Sequence, residues 1–178
     1  MQEFITKSGK KLALRTPTLS DVEPLLSFIN RLASEDTFIL RSNKDTLTLD
    51  QEKSWLAEKL QEIENKKAVL VTAFDNSRVA GQVEVEVGEL RGRFLGKLGI
   101  SVDQEYRAEG LATELMIVAE AEAKKLGLKI LHLEVFSGNN IAKHLYEKSG
   151  YIKFGELPKS IDYRGQLLDE SYYYKRLD

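Results

Sequence analysis

Arg107-Ala108-Glu109-Gly110-Leu111-Ala112 has the composition and the setting of an anion seat. An apolar run, Leu98-Gly99-Ile100-Ser101-Val102, stops at Asp103. Helical periodicity begins near Leu111, with Leu111, Leu115, Val118, Ala119 and Leu126 at the three- and four-residue steps of one face. The six residues therefore form a turn between a strand and a helix start. The first N–H groups of a helix have no partner within it, and the helix dipole adds partial positive charge there. Gly110 and Ala112 leave space for a bulky anion to reach those amides, and Thr113 belongs to the same first turn. The chemistry is that of a phosphate or pyrophosphate seat. Taken alone, the pattern serves equally as a plain strand–helix turn in which Gly110 only permits the bend.

A second pattern follows at Asn139-Asn140-Ile141-Ala142-Lys143-His144-Leu145-Tyr146-Glu147-Lys148-Ser149-Gly150-Tyr151. It reads N-x-x-A-x-x-L-Y-x-x-x-G-Y. With R-x-x-G-x-A and the strand L-G-I-S-V before it, the chain resembles the GNAT N-acetyltransferase superfamily, most tightly from residue 95 to residue 155. The resemblance implies acetyl-CoA as cosubstrate, its diphosphate held at Arg107, Ala108, Glu109, Gly110, Leu111, Ala112 and Thr113. It also implies backbone N–H groups of the central strand, around Ile100 and Val102, as the stabiliser of the reacting carbonyl oxygen. Tyr146 is then the acid that protonates the leaving thiolate as the tetrahedral intermediate collapses. A phenol with its ordinary pKa near ~10 is protonated at neutral pH and suits that role. Tyr146 could equally pack in a helix stripe with Leu145 and Ala142. Asn139 is implied as a hydrogen-bond partner of the pantetheine or of the preceding loop, and it also suits a helix N-cap. The family often carries Gly, Asn, Lys or Arg where Ala108 and Glu109 stand, and the Glu109 carboxylate is expected to face solvent.

Amine acetylation requires a neutral acceptor nitrogen, so a carboxylate or water chain must remove a proton. Many relatives place a glutamate shortly before L-G-I, where this chain has Lys97. Glu84 and Glu86, on the neighbouring strand, are the candidates for a catalytic role, with Glu35 behind them. Their ordinary alternative is the solvated face of an alternating strand. His132 and His144 are too isolated to form a metal pair and read as surface or packing residues, so no metal site is expected. Gly92-x-x-x-Gly96-Lys97 is one residue short of a Walker loop, and Leu98 stands where Ser or Thr is needed.

The elements that must position these residues are legible along the chain. Phe4–Thr6 and Leu12–Arg15 read as strands around Ser8-Gly9. Ser20 and Glu23 read as a capping box for a helix with Val22, Leu25, Leu26, Ile29 and Leu32 inside. Residues 34–47 read as a loop, and Thr48 with Gln51 as a second capping box before Trp55, Leu56, Leu60 and Ile63. Ala68–Phe74 is nearly all apolar, as in a strand covered on both faces. Val79–Val87 alternates, with Glu84 and Glu86 on the polar side. After the long helix, Ile130–Phe136 reads as a strand, 141–148 as a helix, and 151–157 with 171–177 as a last strand pair whose connection holds the turn-like Asp162-Tyr163-Arg164-Gly165. The order predicts an α/β (α+β) fold, one domain over 1–178, with a mixed sheet of about six or seven strands and helices on both faces.

Composition narrows the function. The net charge is -2 and the pI near 5.8, which argues against binding nucleic acid through a basic face. The chain has no cysteine, which excludes disulfides, thiolate ligands and an acyl-cysteine route. No apolar run approaches the ~20 residues of a membrane span and no secretory signal is visible, so a cytoplasmic protein is expected. The predicted activity is direct transfer of acetyl from acetyl-CoA to a primary amine of a small molecule or peptide. A non-catalytic acyl-CoA sensor on the same scaffold is the alternative. Acceptor specificity is expected in 34–47 and 158–170, and exposed strand edges leave room for a homodimer.

Overall fold

The computed structural model describes residues 2–177. Eight strands form one mixed sheet: β1 (Gln2–Ile5), β2 (Lys11–Arg15), β3 (Ala68–Asp75), β4 (Arg78–Val87), β5 (Leu95–Val102), β6 (Ile130–Phe136), β7 (Ile152–Tyr163) and β8 (Gln166–Arg176). Four α-helices accompany them: α1 (Val22–Glu35), α2 (Leu49–Glu64), α3 (Leu111–Lys125) and α4 (Asn140–Lys148). The spatial order is β1-β2-β3-β4-β5-β6-β8-β7. Every neighbouring pair is antiparallel except β5 and β6, which are parallel. A parallel pair needs a long crossover, and α3 supplies it.

Two apolar layers hold the sheet. On one face Leu111, Leu115, Met116 and Ala119 of α3 pack with Val83, Val85, Leu98, Leu131 and Leu133, and Tyr146 of α4 joins them. On the other, Val22, Leu25, Phe28 and Leu32 of α1 and Leu56 of α2 pack on Leu70, Phe74 and Val79. Because β3 lies under both layers, it is buried along nearly its whole length. The polar side of β4 is covered at Glu84. Glu84 is not on a solvated face; it lies beneath α2 with Lys59 Nζ 2.5 Å from its carboxylate.

The start of α1 is organised by Asp21 rather than by Ser20 and Glu23. Its carboxylate accepts from the Thr18 N–H at 2.7 Å and from both terminal nitrogens of Arg15 at 2.7 and 2.8 Å. These bonds, the Arg15 pair foremost, hold the Asp21 pKa down at about 2 against the opposing effect of burial. A folded-state pKa below the unfolded ~3.9 contributes stability that is complete above the unfolded value and lost as pH falls through the folded one. Asp21→Asn is therefore expected to cost about 2 kcal/mol at pH 7. Most of that difference disappears by pH 2, which urea unfolding at the two pH values measures.

The final pair is longer than its sequence suggests. β7 and β8 form one hairpin through 158–170, turned at Arg164-Gly165, both with positive φ (54° and 79°). Two register shifts, at Lys153/Gly155 and Leu157/Ile161, let Pro158 sit in an edge strand.

Candidate active site

The site begins where backbone pairing stops. β5 and β6 pair only at Leu95–Ile130, Gly96–Leu131 and Lys97–His132, although both strands continue for several residues. Along β5 the odd-numbered residues exchange hydrogen bonds with β4; the ladder ends in Gly88 N–H to Leu95 O at 2.9 Å and Asp103 N–H to Ala80 O at 3.0 Å. Strand geometry then turns the even-numbered amides the other way. Ile100 and Val102 so present N–H groups to a gap with no strand opposite. Gly99 adds no side chain, and a Cβ built there would have nothing within 4 Å.

The mouth of this gap is the turn that leads into α3. Asp103, almost fully buried, fixes it. Its carboxylate accepts from Arg31 Nε at 2.9 Å, Arg78 at 3.2 Å and the Glu105 N–H at 3.1 Å. Burial pushes its pKa up, but the two arginines and the amide outweigh it and hold the group ionised. The chain then passes through Ala108 at φ 62° and Gly110 at φ 87°, left-handed geometry that Gly110 adopts without strain. Gly110 is the N-cap of α3, and among the described residues no side chain caps that helix start. The amides of Leu111, Ala112 and Thr113 thus point outward unsatisfied by the helix. Gap amides in line with an uncapped helix start fit an extended thiol carrier bearing a diphosphate.

Two side chains of this turn behave differently from expectation. Arg107 turns back, donating from Nε to Val102 O at 3.1 Å, with its terminal nitrogen 2.5 Å from Glu35. Glu35 is thereby an ion-pair partner of Arg107 rather than a free base. Glu109 is not simply solvated: its carboxylate accepts from the Ser8 N–H at 2.8 Å, and chiefly this bond lowers its pKa. The β1–β2 turn thus engages an anionic group that would oppose a phosphate.

Tyr146 stands on the α3 face of the sheet. Its ring lies 6.1 Å from Tyr173 and 6.2 Å from Tyr151, and burial alone pushes its pKa up to about 12. Tyr173 pairs across the ladder with Leu133, the first β6 residue beyond the last β5–β6 rung. The ring therefore packs beside the rungs where the gap opens, and its phenol is protonated at neutral pH. Asn139 caps α4, its Oδ1 accepting from the Ala142 N–H at 3.1 Å.

The proposed carboxylates do not border the gap. Glu84 lies on β4, beyond β5, and is held by Lys59; burial raises its pKa and Lys59 works against that. Glu86 is exposed and lines an open polar hollow beside the C-terminal end of α2. The carboxylate that does border the gap is Glu134 of β6, 2.8 Å from Lys97 Nζ. In sequence it is one polar residue in an alternating strand, and only the β5–β6 register reveals its place. Farther out, Phe136 meets Phe38 and Tyr163 at ring distances of 5.8 and 6.0 Å. Here a cavity of about 230 Å³ opens between the α1–α2 connection and the tip of the β7–β8 hairpin. Tyr163 and Arg164 tie that tip to the carbonyl of Asp36 at 3.0 and 2.8 Å.

A sheet that opens at its one parallel pair, beside an uncapped helix start, is the architecture of an acetyltransferase. The chain belongs to the acetyltransferase (GNAT) family, whose model matches residues 29–151. The cosubstrate of that family is acetyl-CoA. Among solved structures, the chain is similar to a GNAT-family acetyltransferase from Streptococcus pneumoniae, with TM-score 0.85, 26% identity, and 94% of this chain and 99% of that chain covered. A ribosomal-protein-alanine N-acetyltransferase from Brucella melitensis superposes with TM-score 0.82 at 19% identity, covering 92% of this chain and 99% of the other. Spermidine N-acetyltransferase from Vibrio cholerae, in complex with CoA and spermine, gives TM-score 0.77 at 20% identity, with 93% and 95% covered. No curated protein matches the sequence.

Proposed function

We propose that the chain, acting over 1–178 as one domain in the cytoplasm, transfers acetyl from acetyl-CoA directly to a primary amine of a small molecule or peptide. The observation that carries this reading is that the strand amides of Ile100 and Val102, past the last β5–β6 rung, are followed directly in the chain by the uncapped start of α3. Acetyl-CoA supplies an activated acetyl thioester. The residues of this chain do the rest. The amides of Ala108 to Thr113 take the diphosphate, with Arg107 bracing the turn through Glu35 and Val102. The amides of Ile100 and Val102 hold the carrier in the gap and stabilise charge on the carbonyl oxygen. Tyr146 gives its proton to the departing sulfur. Two of the similar structures are of enzymes named for amine acceptors, a ribosomal-protein alanine and spermidine, which supports an amine here.

Calorimetry with CoA, followed by thiol release from acetyl-CoA over spermidine, amino acids, aminoglycosides and peptides, tests the reading. Micromolar CoA binding with release for at least one amine is the expected result. Binding without release from any of them would overturn the transferase and leave a carrier-binding module.

A further inference from the structure

We propose that Glu109 is a positioning residue for the carrier: clasped by the β1–β2 turn, it holds the backbone of 108–110 in the geometry that the diphosphate needs. This rests on the carrier-binding reading above.

The turn before α3 does not fix itself. Ala108 and Gly110, on either side of Glu109, both have left-handed backbone, at φ 62° and 87°. For Ala108 that geometry is strained, and a strained residue keeps it only where its surroundings over-determine it. Helix α3 gives no help, since no side chain among the described residues caps its start. On one flank Arg107 reaches back to Val102 O and Glu35. On the other flank the hold comes from the β1 edge of the sheet.

Two consecutive amides of the β1–β2 turn close on Glu109. The Ser8 N–H donates to its carboxylate at 2.8 Å, and the Lys7 N–H to its carbonyl at 3.3 Å. The hydroxyls of Ser8 and Thr6 and the charge of Lys7 favour the same ionised carboxylate. The turn that presents these groups is itself pinned. Thr6 is buried; its N–H donates to Lys10 O at 2.9 Å, and its hydroxyl accepts from the Lys10 N–H at 3.0 Å. Further contacts flank the clasp. The Phe4 ring lies 3.6 Å from where a Cβ on Gly110 would stand, and the Gln2 amide donates to Glu114 of α3 at 2.6 Å. The Lys10 ammonium lies 4.5 Å over the ring of Tyr106.

The Lys7 bond has a directional consequence. In a planar trans peptide the carbonyl and the following N–H point opposite ways. With its carbonyl turned to the hairpin, the Glu109–Gly110 peptide aims the Gly110 N–H away from it. That amide directly precedes the free amides of Leu111, Ala112 and Thr113. The clasp therefore sets the direction of one donor at the diphosphate seat, while the Ser8 bond draws the carboxylate to the hairpin side.

Glu109 thus acts in two opposed ways, as an anchor that favours the diphosphate and as a charge that opposes it. A pair of variants with equal charge separates them. Glu109→Gln removes the charge and keeps an acceptor for Ser8; Glu109→Ala removes both. Calorimetry with CoA and with pantetheine, which lacks the diphosphate, is run on the unmodified protein and both variants, with a melting curve on each sample. The glutamine variant is expected to bind CoA at least as tightly as the unmodified protein. The alanine variant is expected to bind it about tenfold more weakly than the glutamine variant, as follows if the loosened turn is competent about a tenth of the time. Pantetheine binding stays within about twofold across the pair. Equal CoA affinity of the two variants overturns the positioning role and leaves carrier binding intact. A deficit shared by pantetheine marks a general loss of structure and also overturns it. No CoA binding by the unmodified protein, or binding no tighter than that of pantetheine, overturns the carrier-binding reading as well. If the alanine variant does not fold, Glu109→Asp replaces it, keeping the charge on a side chain one methylene too short for Ser8. About a tenfold loss of CoA affinity from the unmodified protein is then expected, and unchanged affinity overturns the role.

Discussion

Tyr146→Phe is expected to lower kcat by about 10²–10³-fold while CoA affinity stays within about twofold. The substitution removes one oxygen from a buried ring and keeps its contacts with Tyr151 and Tyr173. Burial alone sets the phenol's pKa at about 12, so the hydroxyl is not stabilised as an anion and stays protonated well above neutrality. In the proposed mechanism its loss removes a proton from the leaving sulfur, and among the described residues no hydrogen bond of the hydroxyl is lost with it. The same value means that Tyr146 adds no basic limb to the rate profile below about pH 10. Steady-state kinetics with acetyl-CoA, alongside calorimetry with CoA, separate the two quantities. Equal turnover would remove Tyr146 from the chemistry.

Ala112→Asp should have the opposite signature, an intact fold with a lost carrier. Ala112 is half-buried in the first turn of α3, where a carboxylate complements the helix dipole. Thermal stability is expected to hold or rise, by about 0.3–1 kcal/mol. A diphosphate about 5 Å from that carboxylate, at an effective dielectric near 20, is opposed by about 3 kcal/mol, or a loss of affinity of about 10²-fold. Calorimetry and a melting curve on the same sample distinguish this from unfolding. Unchanged CoA binding would move the diphosphate away from the α3 start.

Much of this arrangement was legible in the residues, because local chemistry decided it. R-x-x-G-x-A between a strand and a helix, the Thr48–Gln51 box, and the nearly all apolar β3 each follow from rules that act within a few residues. Failures came where a distant segment decides. In α2, Glu52 and Lys59 lie inside although their charge marks them for the outside; Lys59 is paid for by Glu84 on the strand beneath. Thr18 and Asp21 overlap Ser20 and Glu23 as possible caps, and Arg15, from another element, selects the first pair. Pro158 and Gly165 make 158–170 look irregular, yet bulges absorb the proline and the ladder runs through. Glu134 was illegible for a related reason. Its place beside the gap depends on which rung of β5 and β6 is the last, a fact no window of sequence contains.

That last rung also bears on inheritance. A cleft made by the end of hydrogen bonding is written in main-chain atoms, which every residue except proline carries alike. Side chains along Leu98 to Val102 are then constrained by packing under α3, where Leu98 is buried, rather than by the chemistry of the cleft. This accounts for a chain that keeps its architecture with a homologue of the same family at 26% identity. The walls of the outer cavity, built from Phe38, Phe136 and Tyr163, are side-chain matter, and selection can rewrite them without disturbing the shared floor.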